Sequence, residues 1–144
     1  MILSILSADE AAASGLTHRV KLTHADLAAG TTVTTVTLLT LQAGQFVAET
    51  GHRLITDFAG GGSALTVALG NASGTTAYGA AKELLGTEID YWRTSIATPP
   101  TGAADQAGET EAVIATFTST GSTGDAQTAG EINIGLRVVN LPKL

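Results

Sequence analysis

The chain has 144 residues, 13 acidic against 7 basic side chains, a net charge of −6, and no cysteine. That balance gives no cationic field for general nucleic-acid binding, and it rules out disulfides, thiolate metal sites and a cysteine nucleophile. Hydrophobic residues make up 44% but aromatics only 4%, so the interior must be built from Val, Ile, Leu and Ala, and the low charged fraction disfavours a helical bundle.

In chain order, MILSIL (Met1–Leu6) is apolar, short and without a basic flank, which does not suit a secretory signal. No window approaches the ~20 apolar residues of a membrane span, so a soluble protein without a membrane partner is expected. Ser7-Ala8-Asp9-Glu10 has the form of a capping box, and Gly15 is placed to stop a short helix over Ala8–Ser14. Residues 1–16 are therefore expected to form an N-terminal arm, and residues 17–144 a single β domain. Val20 and Leu22 alternate with Arg19 and Lys21, as in a strand with one charged face. Val33–Leu41 is β-branched and long, and shorter strands are expected over Gln45–Ala48 and Arg53–Phe58.

Gly60-Gly61-Gly62-Ser63 follows an apolar segment, as a phosphate cradle would. The next residues, Ala64–Leu69, alternate large and small at period two, and no Gly-Lys-Ser/Thr closes the loop. The run is read as a bend between strands. Thr75–Leu85 carries Tyr78, Ala81 and Leu85 on one helical face with Gly86 as a stop, which predicts a second helix. Ile89–Ile96 returns to strand, and Thr98–Glu109, with Pro99-Pro100, is a loop. Val113, Ala115 and Phe117 alternate with smaller or polar partners. After a loop over Gly121–Gly130, Ile132, Ile134, Leu136 and Val138 share one strand face. About eight strands and two helices without regular alternation indicate an antiparallel two-sheet sandwich or jelly roll, with a mixed α/β layer fold as the alternative.

Motifs for chemistry are sparse. His18, His24 and His52 lack the spacing of a metal site and are expected to be solvated or hydrogen-bonded structural residues. Glu88/Asp90 and Glu109/Glu111 are i, i+2 carboxylate pairs, read as wet strand edges and loop charges. Asp125 and Glu131 flank a loop without a calcium pattern. No G-x-S-x-G is present. Asn71-Ala72-Ser73 matches a glycosylation acceptor by chance. No catalytic residue, cofactor or metal is expected. In Tyr91-Trp92-Arg93, Tyr91 and Arg93 share one strand face and Trp92 the other; either set is core, and outward Tyr91 and Arg93 would suit an interface.

LTVALGN (Leu65–Asn71) after the glycine bend and the terminal ATFTSTG…TAGEINIGLRVVNL resemble the capsid decoration, or cement, proteins of tailed bacteriophages, small β domains without enzymatic activity. The resemblance runs from about Arg53 to the C-terminus, with a gap across Pro99–Glu109. It implies a virion protein, assembled in the bacterial cytoplasm, that sits on the major capsid protein lattice as a homotrimer, with a dimer as the other common form. Phage fibre domains and carbohydrate- or receptor-binding jelly rolls are the alternative. Interface candidates are Met1, Ile2, Leu3, Ile5, Leu6, Tyr91 and Arg93, because the apolar N-terminus is costly to expose on a monomer.

Overall fold

The computed structural model describes residues 1–86, 91–96 and 110–140. These form two antiparallel sheets packed face to face, in line with the sandwich expected from the strand pattern. In chain order the elements are β1 (Ile2–Ile5), α1 (Ala8–Ser14), β2 (His18–Thr23), β3 (Val33–Leu41), β4 (Gln45–Gly60), β5 (Ala64–Asn71), β6 (Gly74–Glu83), β7 (Tyr91–Ser95), β8 (Glu111–Thr120) and β9 (Gln127–Asn140). One sheet has the order β1-β2-β9-β4-β7 and the other β3-β8-β5-β6.

The interior is aliphatic, as the shortage of aromatics requires. Val20 and Leu22 of β2, Leu54 of β4, and Ile132, Ile134 and Leu136 of β9 are buried in one cluster with Leu38 and Leu41 of β3, Leu65, Val67 and Leu69 of β5, and Val113 and Ala115 of β8. Each Val, Leu or Ile side chain among them contributes about 1.5–3 kcal/mol by leaving water. Phe58 and Phe117 join the two sheets, ring centroids 6.4 Å apart. Thr50 Oγ1 also crosses between layers, donating to the Tyr78 carbonyl at 2.9 Å.

The glycine run is a bend. It carries the chain from β4 in one sheet to β5 in the other, with Gly60 at φ 148° and Gly62 at φ 101°. A Cβ on Gly60 would lie 2.3 Å from the Ala126 carbonyl oxygen, so neither the angle nor the space admits a side chain.

Three expectations about elements are corrected. The segment Thr75–Leu85 is not a helix: β6 runs through most of it, paired with β5. Two register shifts in that ladder break the period-two pattern, and the resulting phase, with Tyr78 and Gly79 both buried, mimics helical spacing. The strands over Gln45–Ala48 and Arg53–Phe58 are one strand, β4, continuous through Glu49-Thr50-Gly51-His52. β9 starts inside the expected loop Gly121–Gly130, after a 3-10 turn over Gly124–Ala126. Gln127 stays in the ladder because its Nε2 donates to the Gly61 carbonyl at 2.7 Å.

Glu111 also departs from expectation. It is buried, 5% exposed, and not on a wet edge. Its Oε1 accepts from the Tyr78 hydroxyl and, at 2.7 Å, from Asn71 Nδ2. Asn71 Oδ1 in turn accepts from the Ser73 and Gly74 backbone N–H groups at 3.0 and 2.9 Å, which shapes the β5–β6 turn. Asn71, the first residue of the chance glycosylation match, is thus buried and fully engaged. Removing one donor from a buried carboxylate leaves it under-solvated, so Tyr78→Phe is expected to lower unfolding stability by about 1–3 kcal/mol. A urea titration reads this as a lower midpoint at unchanged slope, and an unchanged midpoint would contradict the role given to this hydroxyl.

Candidate functional site

The sequence-predicted interface residues fall at opposite edges of the same sheet. Met1, Ile2, Leu3 and Ile5 are 52%, 60%, 46% and 79% exposed on or beside β1, and Leu6 is half-buried. Tyr91 and Arg93 lie on β7, with β2, β9 and β4 between. Four strand spacings make that separation about 19 Å. The two groups do not form one patch.

β1 is held in place from both ends. The Met1 amino group pairs with the Asp26 carboxylate, and Leu6 N–H donates to the Thr17 carbonyl at 2.9 Å. Burial pushes the Asp26 carboxyl up, but the amino group and the Thr23 N–H more than offset this and hold it below its ordinary value. β1 pairs with β2 in the register Ile2↔Lys21, Leu3↔Val20, Ser4↔Arg19 and Ile5↔His18. Leu3 and Ile5 therefore share the interior-facing side with Val20, but no strand of the facing sheet fully covers them. They line an open cleft of about 260 Å³ together with Val138 of β9 in the same sheet, with Leu39 and Leu41 of β3 in the facing sheet.

On the outer face of the same sheet, α1 lies across the strands. Its start follows the predicted capping box: Glu10 N–H donates to Ser7 Oγ at 3.3 Å and Ser7 N–H to Glu10 Oε2 at 3.0 Å. The Ser7 backbone N–H lowers the Glu10 carboxyl from its ordinary value. Gly15 ends the helix at φ 72°. Leu16 then drops onto a floor made by the cross-strand neighbours Gly51 and Gly135; a Cβ on Gly135 would lie 2.3 Å from Leu16 Cδ1. Only a residue without a side chain allows this approach.

Arg93 does face outward, but as a clamp. Its Nη1 donates to the Ser14 carbonyl at 2.8 Å, satisfying the C-terminal end of α1, while Nε donates to Glu49 Oε1. Tyr91, 51% exposed, borders a pocket of about 330 Å³ between α1 and the sheet, whose other walls include Leu16, Arg19, Arg53 and Asn133. Trp92 is half-buried on the inner side. Glu49, Leu16 and Asn133 were not singled out from sequence; they become part of this face only through cross-strand neighbours remote in the chain.

The histidines divide. His18 Nδ1 is 2.8 Å from Thr17 Oγ1, a hydrogen-bonded residue as expected. His52 corrects the expectation: it is 2% exposed, and neither ring nitrogen has a hydrogen-bond partner among the described residues. Its ring meets Trp92 edge-on, centroids 6.2 Å apart, with Gly79 beneath. Burial, and then the Lys82 charge, push its pKa down to about 4.

The remaining acidic candidates do not converge. Glu88, Asp90 and Glu109 lie outside the described residues. Asp125 Oδ1 accepts from Gly30 N–H at 3.1 Å, whereas Glu131 pairs with Lys21 at 2.6 Å. Among the described residues no three His, Asp or Glu side chains cluster as a metal ion would require, and no helix is long and apolar enough to cross a membrane. Comparison with protein-family models, curated proteins and solved structures returned no match.

His52 makes a pH dependence. The unfolded chain takes up its proton near the ordinary value of 6.5, the folded chain only near 4. Its contribution is complete above about pH 6.5 and is lost as pH falls toward 4, amounting to about 3 kcal/mol. His52→Leu is expected to flatten this acid limb in denaturant titrations run from pH 7 to 4; an equally steep limb in the variant would contradict the assignment.

Proposed function

We propose that this chain is a structural protein of a virus shell: a decoration, or cement, protein that seats on the outer surface of the major capsid protein lattice of a tailed bacteriophage and stabilises the head. It acts by surface matching, without catalysis or a cofactor. In this reading it is made in the host bacterial cytoplasm and carried in the virion, and it self-associates, as the trimer or dimer that the sequence resemblance implies.

The observation that supports the reading is the exposed apolar edge: Met1, Ile2, Leu3 and Ile5 stand out from a rigid aliphatic sandwich. Each large apolar side chain withdrawn from water on docking contributes on the order of 1–2 kcal/mol at the usual area coefficient. Repetition of the contact around a lattice multiplies occupancy without new chemistry. A second reading, a carbohydrate- or receptor-binding module, is favoured by the pocket under α1, where Tyr91, Arg53 and Asn133 combine an aromatic face with polar groups.

Co-sedimentation with emptied shells assembled from the major capsid protein of the same genome tests the first reading. The chain is expected to bind saturably and to raise the temperature at which shells rupture, while Ile2→Asp with Ile5→Asp weakens binding at least tenfold. A chain that leaves shells unbound at every concentration, but binds a defined glycan on an array, would replace the first reading with the second.

A further inference from the structure

We propose that two copies of this chain join through their β1 strands, in antiparallel register centred on Ser4, into one continuous ten-stranded sheet. The directions of the backbone groups lead to this. Leu6 N–H donates to the Thr17 carbonyl, and Ser4 is partnered with Arg19 in the same ladder. Alternation in an antiparallel ladder then points the N–H and C=O of Ile2 and Ser4 at β2, and those of Leu3 and Ile5 away from it. The outer edge of β1 thus offers two donors and two acceptors, with no partner for them among the described residues.

Such an edge is ordinarily blunted by charge, proline or a bulge. β1, ILSI, has none of these. The Met1 amino group beside it is taken up by Asp26, and Arg19 and Lys21 across on β2 pair with Glu10 and Glu131.

A second β1 fits this edge because the segment is self-complementary. About a two-fold axis through Ser4 and perpendicular to the sheet, Leu3 and Ile5 of one copy meet Ile5 and Leu3 of the other and exchange four backbone hydrogen bonds. Ile2 meets Leu6 on the outer face. The two Ser4 residues meet at the axis in a non-hydrogen-bonded pair, where side chains approach closest and hydroxyls can bond to each other. Every other pair is apolar on apolar. Leu3 and Ile5 of both copies lie on the interior-facing side, so the open clefts beside Leu39, Leu41 and Val138 share one covered wall. A strand of other composition would have to reproduce this apolar order around a central small polar residue. Pairing of this kind closes after two copies and selects the dimer over the trimer. The pairing takes up the strand edge on which the capsid reading also rests, so in the dimer only the outer-face side chains Ile2 and Leu6 of β1 remain for the lattice. The pairing itself needs no capsid, and a chain that stays monomeric in solution would leave the whole edge free for it.

The test uses the full chain alone. Sedimentation equilibrium is expected to give twice the 14.5 kDa of one chain. Leu3→Pro breaks no bond to β2, removing an outward donor together with the Leu3 side chain, and is expected to return the mass to that of one chain, with the strand signal in circular dichroism retained. Because the chain has no cysteine, Ser4→Cys introduces a single thiol per copy. At the axis its Cα lies about 4.5 Å from its mate, within disulfide range, whereas Ile2→Cys would sit about 14 Å from its own mate. Mild oxidation is expected to convert Ser4→Cys to covalent dimer and to leave Ile2→Cys monomeric. A chain that stays monomeric up to its solubility limit, a trimer, or cross-linking of Ile2→Cys as fast as of Ser4→Cys would each overturn the proposal.

Discussion

The double pairing of β9 is the constraint on which the structure depends. One side of this strand bonds to β2 and the other to β4, over the registers His18↔Leu136 to Thr23↔Glu131 and Gln45↔Asn140 to Gly60↔Gln127. With both edges satisfied, Ile132, Ile134 and Leu136 are fixed toward the facing sheet, and their neighbours Asn133 and Gly135 toward the outside. What remains on each side follows from that. On one flank β4 and β7 carry Glu49 and Arg93, which clamp α1. On the other, β2 hands its unpaired edge to β1, and the sheet stops at an uncharged strand.

The two flanks are different kinds of surface. Around Arg93 the polar groups are consumed internally: Glu49, Ser14 and the end of α1 satisfy one another, and Leu16 fills the space over Gly51 and Gly135. Truncating such residues loosens the molecule before it affects any partner. At β1 the apolar side chains stay exposed, along the outer face and beside the open cleft, while the strand itself is pinned at both ends. An ordered apolar edge loses little conformational freedom on binding, which is the condition under which a small contact area still yields useful affinity. That distinction separates Tyr91 and Arg93, hot-spot residue types on one strand face, from the apolar Met1, Ile2, Leu3 and Ile5.

Features set by neighbours within a few residues were legible in the sequence. The helix Ala8–Ser14 could be placed because Ser7, Glu10 and Gly15 are local caps, and Val33–Leu41 because all nine residues are Val, Thr or Leu, a long run rich in β-branched side chains. The bend at Gly60–Gly62 was readable from what followed it. Features set by remote partners were not. Glu111 looked like a loop charge because the groups that bury it, Tyr78 and Asn71, are 33 and 40 residues away. β6 looked helical because register shifts against β5 move its buried positions out of phase. The middle of β4 has no hydrophobic run, since Thr50 and His52 take interior positions and Gly51 leaves room for Leu16. For MILSIL the apolar character was plain, but its place as a strand on β2 was not, because α1 separates the two partners in the chain.

Amide hydrogen exchange resolved to single residues of β1 tests the central claim most directly, since the alternation of backbone direction is its physical content. Ser4 and Leu6 amides are expected to exchange slowly at every protein concentration, whereas those of Leu3 and Ile5 exchange quickly in dilute solution and become protected as concentration rises. Equal protection of all four amides, or fast exchange at Leu3 and Ile5 that concentration does not change, would contradict the account.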